Sequence, residues 1–275
     1  MSRINVSLSV RSSGYCLAYA HHVVQGDPKT KIRFEATWAI IEHPQEGVIL
    51  FDTGYTSRFY DTTKTFPNSI YAKLTKVEVT EEQEAKSQIN PNQVSHLILS
   101  HLHADHVGGL LDFPDAICWT SADCIQEFNS LSTWKGFSKG LLHDLFPKNW
   151  SRTSRRFESC ETVNHSILGT GYDLFGDESI LLFPLPGHAA GQHGALLQTY
   201  EGPVFLVADA FWDIRAITHG LGPSPIVRLF FDDWKAYNES LEKLRTFHKK
   251  NPEIPLLATH CPQTLEWIES KNTAE

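Results

Sequence analysis

The sequence lacks the features that mark membrane, nucleic-acid-binding and disulfide-built proteins. No stretch approaches the ~20 apolar residues that a membrane-spanning helix needs. The first residues, MSRINVSLSVRSSGYCLAYAHH, are interrupted by polar side chains and lack the apolar run of a secretory signal. No membrane insertion and a cytoplasmic location are therefore expected. There is no Lys/Arg-rich run, and the net charge of −8 offers little to a phosphate backbone, so no nucleic-acid partner is expected. The five cysteines, Cys16, Cys118, Cys124, Cys160 and Cys261, are odd in number and form no CxxC pair. That excludes a disulfide framework and a zinc ribbon. No internal repeat or Pro/Gly/Ser linker interrupts the 275 residues, so a single domain over 1–275 is expected.

Hydrophobic residues make up 41% and charged residues 20%, an ordinary balance for a globular protein, but fourteen histidines stand out. Alternation at Ile4, Val6, Leu8 and Val10 predicts a strand over 2–10. Further strands are predicted over 36–43, 47–52, 94–100, 117–120, 179–185, 194–199 and 204–208. Residues 81–89 are charged and helix-prone up to Pro91. Helices are also predicted over 121–128, 232–249 and 262–269, the second with Trp234, Tyr237, Leu241, Leu244 and Phe247 on its apolar face. Runs of strands each closed by helices suggest an α+β fold with stacked sheets between helices, an αββα layering. The segment 130–165 differs from its surroundings, with Trp134, Phe137, Leu141, Leu142, Leu145, Phe146, Trp150 and Phe157 set among Lys and Arg.

Histidines cluster where the strand ending at Ser100 meets a loop: His101-Leu-His103-Ala-Asp105-His106, followed by Val107-Gly108-Gly109. Borderline divalent metals favour neutral imidazole, with carboxylate added to balance charge. A loop leaving a strand can aim alternate side chains at one point, so His101 and His103 can share one metal. Asp105 and His106, further round the turn, can face a second. The alternative, a solvated strand end, leaves all of these ligand-type side chains without a purpose.

This segment resembles the HxHxDH signature of the metallo-β-lactamase-fold hydrolase superfamily, and later motifs extend the resemblance from about residue 36 to 261. Pro186-Gly187-His188 follows LLFPL, Asp209 ends VFLVAD, His260 ends PLLATH, and Phe51-Asp52-Thr53-Gly54 supplies the family's DTG. Taken singly, His188 and His260 would read as core histidines and Asp209 as a helix cap; their order and their places after strands favour ligation. The resemblance implies a four-layer αββα sandwich with two divalent ions, zinc first and Mn, Fe or Co able to replace it. One ion would sit on His101, His103 and His188 and the other on Asp105, His106 and His260, with Asp209 bridging. Asp52 would orient a ligand or its turn, or be purely structural. His193 is structural or a pocket residue. The long spacing between His106 and His188 fits an aromatic insertion at about 130–165.

Two cations sharing a water lower its pKa, and the bridging hydroxide attacks a carbonyl or phosphoryl centre. Asp105 is the candidate proton shuttle to the leaving group. Cys261 reads as a buried small hydrophobe. In length, FDTGY opening and surroundings of Asp209, the chain is most similar to the N-acyl-homoserine lactone lactonases. Those enzymes carry a substrate-holding tyrosine where this chain has Trp212; Tyr15, Tyr19 or Tyr55 are the candidate substitutes. Lactone opening is the leading activity, with glyoxalase II-like thioester hydrolysis or phosphodiester cleavage as alternatives. A non-catalytic sensor is less favoured because such proteins lose ligands. The expected partner is a small molecule with an apolar tail, lying along 130–165. Helix core, a homodimer contact or a membrane-surface helix are the other readings of that segment.

Overall fold

Strand β3 (Gly47–Phe51) has no polar face: Ile49 and Phe51 point to one side and Leu50 to the other, and all are buried. Such a run belongs in a sheet covered on both faces, and the computed structural model, which describes residues 4–272, places it at the middle of one. The other strands are β1 (Ser7–Tyr19), β2 (Lys31–His43), β4 (Lys76–Glu78), β5 (Val94–Ile98), β6 (Ile117–Thr120), β7 (Arg155–Arg156), β8 (Glu161–His165), β9 (Gly169–Asp173), β10 (Ile180–Pro184), β11 (His193–Thr199), β12 (Gly202–Ala208) and β13 (Leu256–Ala258). A seven-stranded sheet runs β4-β1-β2-β3-β5-β6-β7, and a six-stranded sheet runs β13-β12-β11-β10-β9-β8.

The layering follows from three apolar clusters. Between the sheets, Val10, Ile41, Ile49 and Ile98 meet Leu182, Leu197, Leu206 and Leu257. The outer face of the first sheet carries Trp38, Leu50 and Leu97 under Leu141, Leu145 and Trp150. The outer face of the second carries Phe183, Phe205 and Val207 under the helix Trp234–Lys250, through Tyr237, Leu241, Leu244 and Phe247. That helix forms as its sequence predicts. Asp233 caps it by accepting from Lys235 N and Ala236 N at 2.8 and 3.0 Å, and basic residues fill its last turn. The arrangement is helix, sheet, sheet, helix. Among the described residues no helix is long and apolar enough to cross a membrane.

Several expectations need correction. Strand β1 begins at Ser7 and runs to Tyr19, because pairing with β2 carries it through the polar stretch Arg11–Gly14, with an irregularity between Ser12 and Tyr15. Residues 81–89 form a 3-10 turn, Glu81–Gln83, and a separate turn of helix, Ala85–Gln88. Glu84 breaks them apart: it is extended, and its carboxylate accepts from Ser57 N at 2.7 Å and pairs with Lys86 at 2.8 Å. Tertiary contacts override helix propensity there. The segment 130–165 is a series of short helical turns ending in the edge strands β7 and β8. Leu141, Leu142, Leu145, Phe146 and Trp150 are buried on the first sheet and Phe157 lies between the sheets, whereas Trp134 is exposed and meets Phe66 edge-on at 4.6 Å.

Candidate metal centre

Strand direction brings the histidines and carboxylates together. Strand β3 is parallel to β5, β12 is parallel to β13, and β10 runs the same way as β12 through the antiparallel β11 between them. Their carboxyl ends therefore open on one edge of the sandwich. Asp52 follows β3, His101 to His106 follow β5, His188 follows β10, Asp209 follows β12 and His260 follows β13. After β5 the chain alternates once more: Leu102 turns into the core while His101 and His103 face away, and a single helical turn, Ala104–Val107, then presents Asp105 and His106. Gly187 has φ +123°, and a Cβ there would lie 2.0 Å from Tyr237 N. Only glycine lets the helix Trp234–Lys250 start beneath the His188 loop, which Asp232 N and Asp233 N hold by donating to His188 O and Gly187 O.

Each anchored imidazole has one nitrogen fixed and the other turned inward. Asp52, a non-glycine residue at φ +61°, accepts from Ser100 N (2.8 Å), Ser100 Oγ (2.7 Å) and His106 Nδ1 (2.7 Å). Ser100 Oγ also lies 3.0 Å from His101 Nδ1. His260 Nδ1 donates to Glu35 O at 2.6 Å, and its ring stacks on Phe34 at 3.8 Å. Thr53 receives the turn itself: its N and Oγ1 both donate to His106 O, at 2.8 and 2.9 Å. The Nε2 atoms of His106 and His260 then point at carboxylates. His260 Nε2 is 3.1 Å from Asp105 and 3.0 Å from Asp209 Oδ2, and His188 Nε2 is 3.3 Å from that same oxygen. His188 Nε2 and His103 Nδ1 approach to 3.0 Å.

Among the described residues, groups able to hold a metal ion are His101 with His103 and His188; His101 with His106 and Asp209; and Asp105 with His106 and His260. In each group one atom per residue lies within 4.8 Å of the others. A metal fits this donor set, because His101 Nε2 is buried with no hydrogen-bond partner, and His106 Nε2 and Asp209 Oδ1, 3.3 Å apart, are buried with no well-formed hydrogen bond. Leaving such atoms unpaired costs about 1–3 kcal/mol each, and a cation is the partner that imidazole nitrogen and carboxylate oxygen share.

Charge divides the site into two halves. Burial, reinforced by neighbouring histidines, holds His101 well below the ordinary imidazole value, and burial lowers His188 to about 3. Burial opposes protonation of His106 too, but Asp105, Asp52 and Asp209 overcome it and raise that pKa. At His260 burial is likewise outweighed, by Asp209 and Asp105, and the value rises to about 9. Asp105 falls to about 2 against the cost of burial, chiefly through His106 and His260. Protons on His106 and His260 must leave before their Nε2 atoms can ligate a cation.

The other residues singled out from sequence lie at varied distances from this cluster. Trp212 borders it: Nε1 donates to Asp209 Oδ2 at 3.2 Å and the ring meets His188 at 5.7 Å. Tyr55 is buried behind the site against Phe59, close enough to Asp105 to feel its charge. His193 packs on Phe157 at 5.0 Å and is in none of the ligand groups; its backbone N donates to Ser100 O, tying the second sheet to the ligand loop. Tyr15 bonds Glu78 and Tyr19 is exposed beside His21 and His22. Sequence reasoning missed Ser100, Phe34 and Phe231. Ser100 precedes the cluster and was readable as a polar strand end, whereas nothing in the sequence marks either phenylalanine.

Comparison with known proteins agrees with this architecture. Residues 33–250 match the model of the metallo-β-lactamase superfamily, and the chain belongs to that superfamily of hydrolases. It is 22% identical to a probable metallo-hydrolase of Mycobacterium tuberculosis, over 81% of this chain and 74% of that protein. To the N-acyl homoserine lactonase AttM of Rhizobium radiobacter it is 25% identical, over 68% of this chain and 64% of the lactonase. Among solved structures it is similar to an N-acyl homoserine lactone hydrolase with N-hexanoyl-L-homoserine bound at its catalytic metal centre. That likeness has a TM-score of 0.74 and 17% identity, and covers 96% of each chain.

Proposed function

We propose that the chain is a dinuclear metallohydrolase that opens a lactone ring of the N-acyl-homoserine lactone type. One ion, zinc or a comparable divalent metal, would be held by His101, His103 and His188 and the other by Asp105, His106 and His260, with Asp209 available to both. The observation that carries the assignment is the single oxygen Asp209 Oδ2, within 3.3 Å of His188 Nε2 and 3.0 Å of His260 Nε2, which faces both groups at once. Bound there, such ions supply Lewis-acid polarisation and an acidified water. The chain's own residues do the rest. Asp52 and Glu35 O fix the tautomers of His106 and His260 so that both present Nε2. Asp105, 3.1 Å from His260 Nε2 and beside both groups, is the carboxylate placed to relay a proton to the departing alkoxide.

Likeness to the named lactonases favours lactones over thioesters and phosphodiesters, and the acidic composition disfavours polyphosphate backbones. The test is metal analysis joined to one panel of lactone, thioester, phosphodiester and β-lactam substrates. Close to two metal equivalents with lactone opening is expected. Fewer than one equivalent, with His101→Ala as active as wild type, overturns the metal mechanism. Full metal content with activity on thioesters or phosphodiesters alone overturns only the lactone assignment.

A further inference from the structure

We infer that Trp212 sets the substrate class, selecting lactones that carry a flat, unsaturated ring beside the scissile ester rather than a saturated group of the same size. The choice of substrates rests on the lactone reading above; the wall itself does not. The indole is the half-buried member of an aromatic frame whose other members, Phe34 and Phe231, are buried. It meets Phe34 edge-to-face at 5.4 Å and Phe231 at 5.2 Å. Phe34 stacks on His260 at 3.8 Å and Phe231 meets His188 at 5.1 Å. The ligand cluster is thus backed by rings on this side, and the indole and His103 are half-buried where their neighbours are buried.

Two facts narrow what this wall recognises. The indole N–H is engaged by Asp209 Oδ2 at 3.2 Å, so the ring presents a π surface rather than a free donor. No cation–π contact involves Phe34, Trp212 or Phe231 among the described residues, so no Lys or Arg there competes for these ring faces. An aromatic partner gains ring–ring attraction beyond the area it buries, whereas a saturated ring gains area alone.

The test compares γ-phenyl- with γ-cyclohexyl-γ-butyrolactone, a pair similar in bulk, with the ratio for alkaline hydrolysis dividing out their difference in leaving alkoxide. Wild type is expected to favour the phenyl lactone by about three- to tenfold in kcat/KM, mostly through KM. Trp212→Leu should bring the ratio close to one and Trp212→Phe should restore most of it, both compared at matched metal loading because each loses the indole bond to Asp209. A second arm measures binding of the ring-opened phenyl and cyclohexyl hydroxy acids by tryptophan fluorescence and calorimetry. A ratio that survives in Trp212→Leu, or a preference for cyclohexyl, overturns the inference. If the metal-loaded protein opens neither lactone, the substrate panel decides the lactone reading and the binding arm decides the wall: tighter phenyl-acid binding that Trp212→Leu abolishes supports the wall, and equal binding overturns it.

Discussion

Buried histidines beside carboxylates occur at both ends of the sheet pair. Opposite the ligand cluster, His43 Nδ1 accepts from Gln45 N and Glu46 N, at 3.1 and 3.0 Å, while Nε2 faces Asp177 at 2.9 Å. His96 Nδ1 accepts from Trp119 Nε1 at 3.1 Å, and Nε2 lies 3.6 Å from Glu46. A cleft of about 370 Å³ opens beside His96, lined also by Glu46, Arg155 and Asp173. Even so, no ligand group converges there among the described residues. At the other end each of His101, His106 and His260 has Nδ1 anchored, and Nε2 is directed at neighbouring ligand atoms. At His43 both nitrogens close hydrogen bonds, as in a structural histidine. At the cluster one nitrogen is anchored and the other converges with further donor atoms, as a metal site requires.

This contrast is open to attack at several points. The largest effect is expected from His101→Ala or Asp209→Asn. Either should remove at least one metal equivalent and lower activity on the order of 10³-fold while circular dichroism stays unchanged, because metal polarisation is worth several kcal/mol. Loss of the whole fold in both variants would mean that the cluster is structural after all. Asp52→Asn should cost about 10–100-fold in metal affinity or activity, since the amide cannot accept from Ser100 and His106 as a carboxylate does. His43→Ala should do the reverse, leaving metal content intact and lowering unfolding free energy by about 1–3 kcal/mol.

The smallest effect concerns pH. Burial lowers the pKa of His96, with Glu46 and Arg155 pulling in opposite directions. Its folded value therefore lies below its unfolded one, near 6.5, and the neutral form is the native form. The stability it contributes is fully present above about pH 6.5 and is lost as pH falls below it, with a slope of at most ~1.4 kcal/mol per unit. His96→Gln keeps an acceptor for Trp119 and should flatten the difference curve between pH 6.5 and 5. Chemical denaturation across that range reads it, and identical pH dependence in the two proteins would count against the assignment.

Much of the fold was legible in the sequence. The strands at 47–52, 94–100, 117–120 and 204–208 and the helix at 232–249 have unambiguous patterns, and burial on both faces explains why they read as continuous apolar runs. Strands β4, β7, β8 and β9 were not legible, because short or polar segments such as Glu161–His165 become strands only through a neighbour's edge. The aromatic segment 130–165 announced apolar burial but not where it would be buried. Most of its large side chains went into the chain's own core, leaving Trp134 exposed.

Ligand types and their order after strands were also fixed by local chemistry, since HxHxDH, PGH, AD and TH concentrate donors where chain reversals can present them. Which nitrogen each imidazole turns inward was not. That depended on Asp52 and Ser100 meeting His106 and His101, and on Glu35 O, far away in sequence, accepting a hydrogen bond from His260 Nδ1. The aromatic frame of Phe34, Trp212 and Phe231 likewise exists only once β2, the loop after β12 and the start of the helix Trp234–Lys250 share one edge of the sandwich. Donor identity is a property of single residues and can be read along the chain. Donor direction and the wall a substrate meets are properties of contacts between distant segments, and only the packed sheets set them.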